Sequence, residues 1–425
     1  MRWLLPASSV ILLVCSAACS DEGLPLEIAR LDTPLSSTVT TYADGGGLLA
    51  RAVVTPSFVA YRGDGDAWVS LGALGPVTAY QIEHPRYTLW VACPGVEGEP
   101  TQVNLLFLTS EDTLEPAVLC DPAPPIDGLR SLSLVVGETN NRMLRMAAGS
   151  INTAWYDATG SLITITSFSQ GSGPYDLVTM SSDGPNDVGL WIDRDVALAG
   201  ELEYTANPAQ PFLPFSFGSH PSRSTETNEQ TDHLYVTRNR TAIVMPSTGL
   251  QSLAIVPDEA RDSGDIDLVS AWTRDGDNGL AALSYRQDPR DTNLAYPDPL
   301  IGGAIRNVGA RRFSLELPTG QAGIQVMQAH LQPSESPLTI DLWISERWLA
   351  ESALVDVDFP PSYDPSQVLG APGDSVVSRA WARWSNRDSR SLAESIQHEG
   401  RVVPRSLDGL DVAAASIGLQ SGTVE

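Results

Sequence analysis

Five histidines, His84, His220, His233, His330 and His398, are the only imidazoles in the chain that could move a proton near neutral pH. A Ser-His-Asp triad needs its histidine oriented by a carboxylate. Asp232-His233 and His398-Glu399 are sequence neighbours only, and neighbours on a strand point to opposite faces. The chain has no Gly-x-Ser-x-Gly elbow, no His-Glu-x-x-His helix and no Cys-x-x-Cys pair. It also has no lysine, which excludes Schiff-base chemistry and a Walker-type phosphate loop. These residues argue for a protein that is not an enzyme.

Two other clusters could bind rather than catalyse. Between Asp258 and Asp298 the acids are dense, and Asp262, Asp265, Asp267, Asp275 and Asp277 are candidates for a Ca²⁺ site. Calcium takes about six to eight oxygens at roughly 2.3–2.6 Å, the kind that loop carboxylates and carbonyls supply. Asp275-Gly-Asp277-Asn278-Gly279 resembles half of an EF-hand loop, with its glycine one place early and no Glu at the twelfth position. The same acids also suit solvated turns. Phe212, Phe215 and Phe217 could form a stacking platform for sugar or peptide, or one buried strand face. Calcium is the one cofactor the sequence suggests. Gly373-Asp374-Ser375 resembles the nucleophile block of some lipases, yet no Asp-x-x-His follows near the C-terminus. The remaining tryptophans sit amid strand patterns and read as core.

The whole-chain balance narrows the partners. The 425 residues carry 26 positive side chains, all Arg, against 52 acids, a formal charge of −26. A surface of that sign argues against nucleic acid, because phosphate binding needs basic residues. Met1-Arg2, the apolar run Trp3 to Val14 and the small residues Ser16-Ala17-Ala18 form a secretory leader over 1–18. About twelve apolar residues cannot span roughly 30 Å of hydrocarbon. The Ala17-Ala18-Cys19 ending resembles the bacterial lipobox, with Ser16 where that motif usually has Leu. The resemblance implies lipidation of Cys19 and a membrane anchor through its acyl chains. Ser20 at the next position, by the same resemblance, favours the outer membrane. Of the other cysteines, Cys15 leaves with the leader, and Cys93 and Cys120 remain to form one disulfide in an oxidising compartment.

These groups must be positioned by strands. Short apolar runs rich in Val, Ile, Thr, Tyr and Trp alternate with turns such as Asp64-Gly65, Asp183-Gly184, Asp275-Gly276 and Asp408-Gly409. Ten segments read as strands: 49–54, 87–92, 103–109, 162–168, 175–180, 234–237, 241–245, 281–285, 338–345 and 376–384. Helical periodicity is scarce, with one short candidate over Ser391 to Gln397. The expected fold is all-β: tandem antiparallel β-sandwich domains joined by Pro-rich linkers.

A weak repeat supports tandem units. Ala67-Trp68 precedes Tyr87-Thr88-Leu89 much as Ala154-Trp155 precedes Tyr175-Asp176-Leu177. The Tyr-x-Leu closing strand resembles the prealbumin-like sandwiches of carboxypeptidase-regulatory and PEGA type. With the Cys93–Cys120 staple, the unit is also similar to multi-domain lipoproteins of myxobacteria. The expected division is a leader (1–18), a tether (19–24), a first sandwich (25–122) and a second (126–207) after the linker Asp121-Pro-Ala-Pro-Pro125. A connecting segment (208–230) and a C-terminal β domain (231–425) follow. Function is expected to be that of an outer-membrane lipoprotein, facing the periplasm or the cell surface. It would act as a non-enzymatic binding or envelope-organising module for a glycan, an envelope protein or a divalent cation. A hydrolase with loop-borne groups and a plain spacer are the alternatives.

Overall fold

The computed structural model describes residues 30–423 apart from 45–50, 73, 95–99, 113–114, 121–129, 136–142, 149–150, 157–161, 169–174, 184–185, 197–201, 206–211, 220–228, 240, 247–251, 277, 293, 310–311, 321, 334–337, 351–353, 364–374, 387–407 and 420–421. The leader, Cys19, the linker 121–125 and the helix expected over 391–397 lie outside the described residues.

Within them, nearly everything ordered is strand. The first group is β1 (Leu35–Asp44), β2 (Arg51–Val53), β3 (Phe58–Gly63), β4 (Val69–Ser70), β5 (Val77–Ile82), β6 (Arg86–Pro94), β7 (Pro100–Thr109) and β8 (Ala117–Cys120). Next come β9 (Arg130–Val135), β10 (Met143–Ala148), β11 (Ile151–Tyr156), β12 (Leu162–Phe168), β13 (Tyr175–Asp183), β14 (Asn186–Val196), β15 (Leu202–Thr205), β16 (Leu213–Pro214) and β17 (Ser216–Ser219). Then follow β18 (Gln230–Val236), β19 (Ala242–Val244), β20 (Ser252–Ile255), β21 (Ile266–Asp275), β22 (Asn278–Arg286), β23 (Ala304–Gly309) and β24 (Arg312–Glu316). The last are β25 (Val326–Pro333), β26 (Thr339–Ser345), β27 (Leu354–Asp358), β28 (Ser375–Ser385), β29 (Asp411–Gly418) and β30 (Gly422–Thr423). One helical turn, α1 (Glu346–Leu349), caps β26, with the Ser345 hydroxyl accepting from the Trp348 N–H. Each of the ten segments expected as strands overlaps one, and the fold is all-β.

One long sheet organises the molecule. Its order is β19-β18-β21-β22-β29-β28-β25-β26-β7-β6-β3-β4, with β30 on β28. The pairing is antiparallel except where β7 meets β26, Ile340 facing Val103 in a parallel seam that joins residues on either side of segment 121–230. Parallel pairs also join β1 to β8 and β9 to β15. These three seams link strands that are far apart in sequence, where no tight hairpin could impose the antiparallel sense.

Beneath β6, β7, β25, β26 and β28, the sheet β23-β24-β27 closes one core with Phe313, Leu315, Val355 and Val357. On the opposite face, the sheet of β2, β1, β5 and β8 covers β3, β6 and β7 through Val39, Tyr80, Ile82 and Val118. Strand β6 is therefore buried on both sides, Tyr87, Leu89 and Val91 in one core and Trp90 and Ala92 in the other. That explains its apolar run Leu89–Cys93, since a strand inside three layers has no wet face to alternate with. The Cys93–Cys120 disulfide, Cα atoms 5.4 Å apart, staples β6 to β8 across the second of these cores, as the sequence led us to expect.

Candidate functional site

The long sheet has a second face that these cores leave open. In β28, Ala380, Ala382 and Trp384 point into the core, which turns Arg379, Trp381 and Arg383 to the other side. The same alternation places His330 and Gln328 of β25 outward, opposite the inward Met327, Ala329 and Leu331. It does so again for Trp272 and Arg274 of β21 and for Ala414 and Ser416 of β29. The sheet of β1, β2, β5 and β8 covers this face over β3, β6 and β7, where Trp343 packs at its margin. No described core contains the outward residues of β25, β28, β29 or β22.

Register sets the layout. One rung reads Trp343, Gln328, Trp381, Ser416, Gly279 and Arg274 from β26 across to β21. The adjacent rung reads Arg383, Ala414, Ala281 and Trp272. Gly279, Ala281, Ala414 and Ser416 thus form a low floor flanked by Trp272 and Arg274 on one side and Trp381 and Arg383 on the other. At about 4.8 Å between strands, the two walls stand roughly 14 Å apart. A Cβ on Gly279 would sit 2.8 Å from the Ser416 hydroxyl, so the floor is low because this residue has no side chain. Both Trp272 and Trp381 are half-buried. Arg383 donates to Gln328 Oε1 at 3.4 Å, and its guanidinium stands 5.7 Å from the Trp343 ring centre. Arg274 Nε donates to the Gly276 carbonyl at 3.0 Å.

His330 closes one end of this face. Its Nδ1 lies 2.8 Å from Asp341 Oδ1, and Gln102 Nε2 donates to Asp341 Oδ2 at 2.6 Å. The ring meets Trp381 edge-on with centres 6.4 Å apart. The Asp341 hydrogen bond raises the His330 pKa above its ordinary value, against partial burial and the charge of Arg379. The face therefore offers aromatic surface, guanidinium groups and one protonatable imidazole, with Asp341 as its carboxylate at this end. Such a set suits ring stacking and anion contacts more than covalent chemistry.

A buried ionic network occupies a different place, between β13–β14 and β18–β21. Asp265 is fully buried and accepts from Arg194 (2.9 and 2.6 Å), from the Arg238 and Asp262 backbone N–H groups (both 2.8 Å) and from the Tyr235 hydroxyl. Arg194 also pairs with buried Asp176 at 2.9 Å and donates to the Ala260 carbonyl at 2.7 Å. Burial and the Asp265 charge push the Tyr235 pKa up. Burial opposes ionisation of Asp176, but the Asp195 N–H, Asn239, Thr237 and Arg194 outweigh it and hold its pKa below the ordinary carboxylate value. Asp267 pairs with His233 Nε2 at 2.6 Å and with Arg261. The orienting acid of His233 is thus Asp267 on the neighbouring strand β21, two residues from the Val269 that His233 faces, and not the adjacent Asp232.

Of the five acids considered for calcium, Asp262 and Asp265 are neighbours, the Asp262 N–H donating to Asp265 at 2.8 Å, and the carboxylates of Asp262, Asp265 and Asp267 are met by cations. Asp265 and Asp267 are saturated by arginines, and Asp262 pairs with Arg238 at 2.6 Å. Asp275 ends β21, eight residues and about 26 Å from Asp267, and Asp277 lies outside the described residues. Among the described residues no three His, Cys, Asp or Glu side chains are grouped to hold a metal. Phe215 and Phe217 meet with ring centres 6.5 Å apart; Phe215 packs on a core with Val178 and Met180, while Phe217 is 44% exposed. Phe212 is half-buried, beside Gly189. His84 is buried 2.7 Å from Asp66, and His220 and His398 lie outside the described residues. An open concavity of about 330 Å³ near Arg62, Arg86, Trp348 and Asp358 has its cations already engaged, Arg86 4.1 Å over Trp348 and Arg62 paired with Asp358.

Sequence reasoning missed Trp272, Trp381 and the arginines beside them, because tryptophan in a strand was assigned to the core. The signal was present in Arg379-Ala-Trp381-Ala-Arg383, where one face is all alanine and the other all bulky and cationic. No family model matches the chain, and no curated protein does. Among solved structures, the FN1–FN3 domains of chicken CNTN1 match at 8% identity over 61% of this chain and 90% of that chain, with a TM-score of 0.16.

Proposed function

We propose that this protein is an exported, lipid-anchored binding module of a bacterial envelope, and that it binds a glycan on the open face of its long sheet. The face is the observation that carries the reading. Half-buried Trp272 and Trp381 flank a floor of Gly, Ala and Ser on a rigid sheet, an arrangement on which a chain of sugar rings can lie flat. The Cys93–Cys120 disulfide supports an oxidising compartment. The leader and Cys19 support the anchor, with the outer membrane as its site. No reacting nucleophile is assigned, and the module acts by binding.

The test pairs envelope polysaccharide pull-down with one substitution. Wild-type protein retains a polysaccharide that Trp381→Ala releases, with affinity down at least tenfold and unchanged circular dichroism. Equal retention by Trp381→Ala, or no retention of any polysaccharide by the wild type, overturns the reading. Mass spectrometry of native material should show an acylated Cys19 as the first residue; an unmodified start refutes the anchor.

A further inference from the structure

We infer that His330 reads the glycan on the open face, its Nε2 accepting a hydrogen bond from a hydroxyl of the sugar ring that lies against Trp381. This deepens the proposed glycan binding and rests on it.

The tautomer of His330 is set from behind. Asp341 is 9% exposed; its Oδ1 lies 2.8 Å from His330 Nδ1, and its Oδ2 takes the Gln102 amide at 2.6 Å. A carboxylate only accepts, so the proton between the two groups sits on Nδ1. The neutral imidazole then carries its lone pair on Nε2, turned away from Asp341. The His330 side chain is 35% exposed, and Nε2 is neither buried nor hydrogen-bonded to any described residue.

An acceptor at this place matters because of what surrounds Trp381. Its outward neighbours are Gln328 and Ser416 across the strands, Arg379 and Arg383 along its own strand, and His330 diagonally. Guanidinium and indole N–H groups only donate. Gln328 Oε1 already accepts from Arg383 at 3.4 Å, and Ser416 lies on the low floor. Asp232 is an exposed carboxylate on the same face, but it stands on β18, five strands from β25 and so about 24 Å away. A sugar ring presents hydroxyl donors around its rim, and a donor taken out of water needs an acceptor. His330 supplies one beside the platform: its ring meets Trp381 edge-on, with centres 6.4 Å apart. A saccharide ring seated against Trp381 brings its rim to the imidazole. A fixed acceptor there separates a hydroxyl from an ether, which has no proton to give. The reading needs no net charge on the face.

Full-length protein is titrated with the envelope polysaccharide fraction of the pull-down, native and after O-methylation, which keeps the rings and removes the hydroxyl protons. The inference expects the native fraction to bind at least tenfold tighter. His330→Phe keeps an aromatic ring beside Trp381 without the acceptor. It should bind the native fraction at least tenfold more weakly than wild type and lose most of the preference over the methylated one. His330→Gln, whose amide oxygen reaches the Nε2 position, should stay within threefold of wild type. Nitrogen NMR of histidine-labelled protein at about pH 9, above the histidine range, should show His330 protonated on Nδ1 and bare on Nε2, the signal being assigned by its loss in His330→Phe. Native binding by His330→Phe as tight as wild type, or an unchanged preference over the methylated fraction, overturns the inference and leaves the glycan reading standing. The opposite tautomer overturns it too, as does equal weakening in His330→Phe and His330→Gln, which would make the imidazole a packing group. A wild type that retains neither fraction removes the glycan reading itself.

Discussion

Replacing Asp265 with alanine tests the claim that the β13–β14 and β18–β21 strands are held together by charge. In the native protein its two oxygens accept five hydrogen bonds, two of them from Arg194, in a site where the carboxylate has no solvent exposure. Removing one partner of a buried ion pair costs about 3–5 kcal/mol, because the other charge stays buried without compensation. Arg194 would keep Asp176 and the Ala260 carbonyl, which argues for the lower part of that range. The fully buried Tyr235 hydroxyl would lose its acceptor, worth about 1–3 kcal/mol in general, which moves the sum back to the middle. We expect a loss of about 4 kcal/mol, localised to these strands. Native-state hydrogen exchange reads it directly: amides of β18 and β21 should exchange roughly three orders of magnitude faster, while those of β6 and β26 stay as they are. Adding Arg194→Met to Asp265→Ala should not recover the loss, because it removes the cation that pairs with buried Asp176. A loss below about 1 kcal/mol in the single variant, or a double variant worse than the sum of the singles, would refute the reasoning.

Cys93→Ala/Cys120→Ala should lower stability by about 3.5 kcal/mol, the chain-entropy value for the 27-residue separation, read from urea unfolding; no change in midpoint would mean the staple is idle. Gly63→Ala should destabilise by roughly 1–3 kcal/mol, because a Cβ there would come within 2.1 Å of the buried His84 ring, and combining it with His84→Ala should relieve most of the loss. The His330–Asp341 pair stabilises the protein below the unfolded histidine pKa of about 6.5 and progressively less as pH rises through the raised folded value. Wild type should therefore lose stability over that window relative to His330→Gln, and parallel pH curves for the two would refute the assignment.

The strands were legible because local sequence decides them. Leu162–Phe168 is both the expected segment and β12, and the Asp275-Gly276 turn joins β21 to β22 with the glycine at φ +59°, where only a residue without Cβ is unstrained. The arrangement of the strands was not legible. Nothing in Gln102–Phe107 or Thr339–Ile344 marks them as parallel neighbours, because the seam is specified by cores on both faces and by no turn. The setting of Asp265 and Asp267 was not legible for a related reason. Counting carboxylates along the chain ignores that a strand spreads them, and that arginines from β14 and from the segment before β21 arrive to neutralise Asp265 and Asp267.

The open face shows why burial, and not residue size, settles which side of a strand is core. In β28 the inner positions hold Ala380 and Ala382 because Phe313, Leu315 and Val357 from the opposing sheet fill the space above them. Two layers packed about 10 Å apart can be filled from either side, and here the opposing sheet supplies the bulk. Trp381 is thereby displaced outward, where its ring meets His330 edge-on. Trp384, three residues on, lies on the alanine side at the sheet's edge of contact and is buried. A single strand thus carries one tryptophan that stabilises the fold and one that the fold does not use. Trp384→Ala should therefore unfold the protein by several kcal/mol, about 3–5 for a buried aromatic. Trp381→Ala should leave the unfolding midpoint within the range of an ordinary surface change and abolish ligand retention. If instead both lower the midpoint equally, the outward face is part of the core and the binding site lies elsewhere.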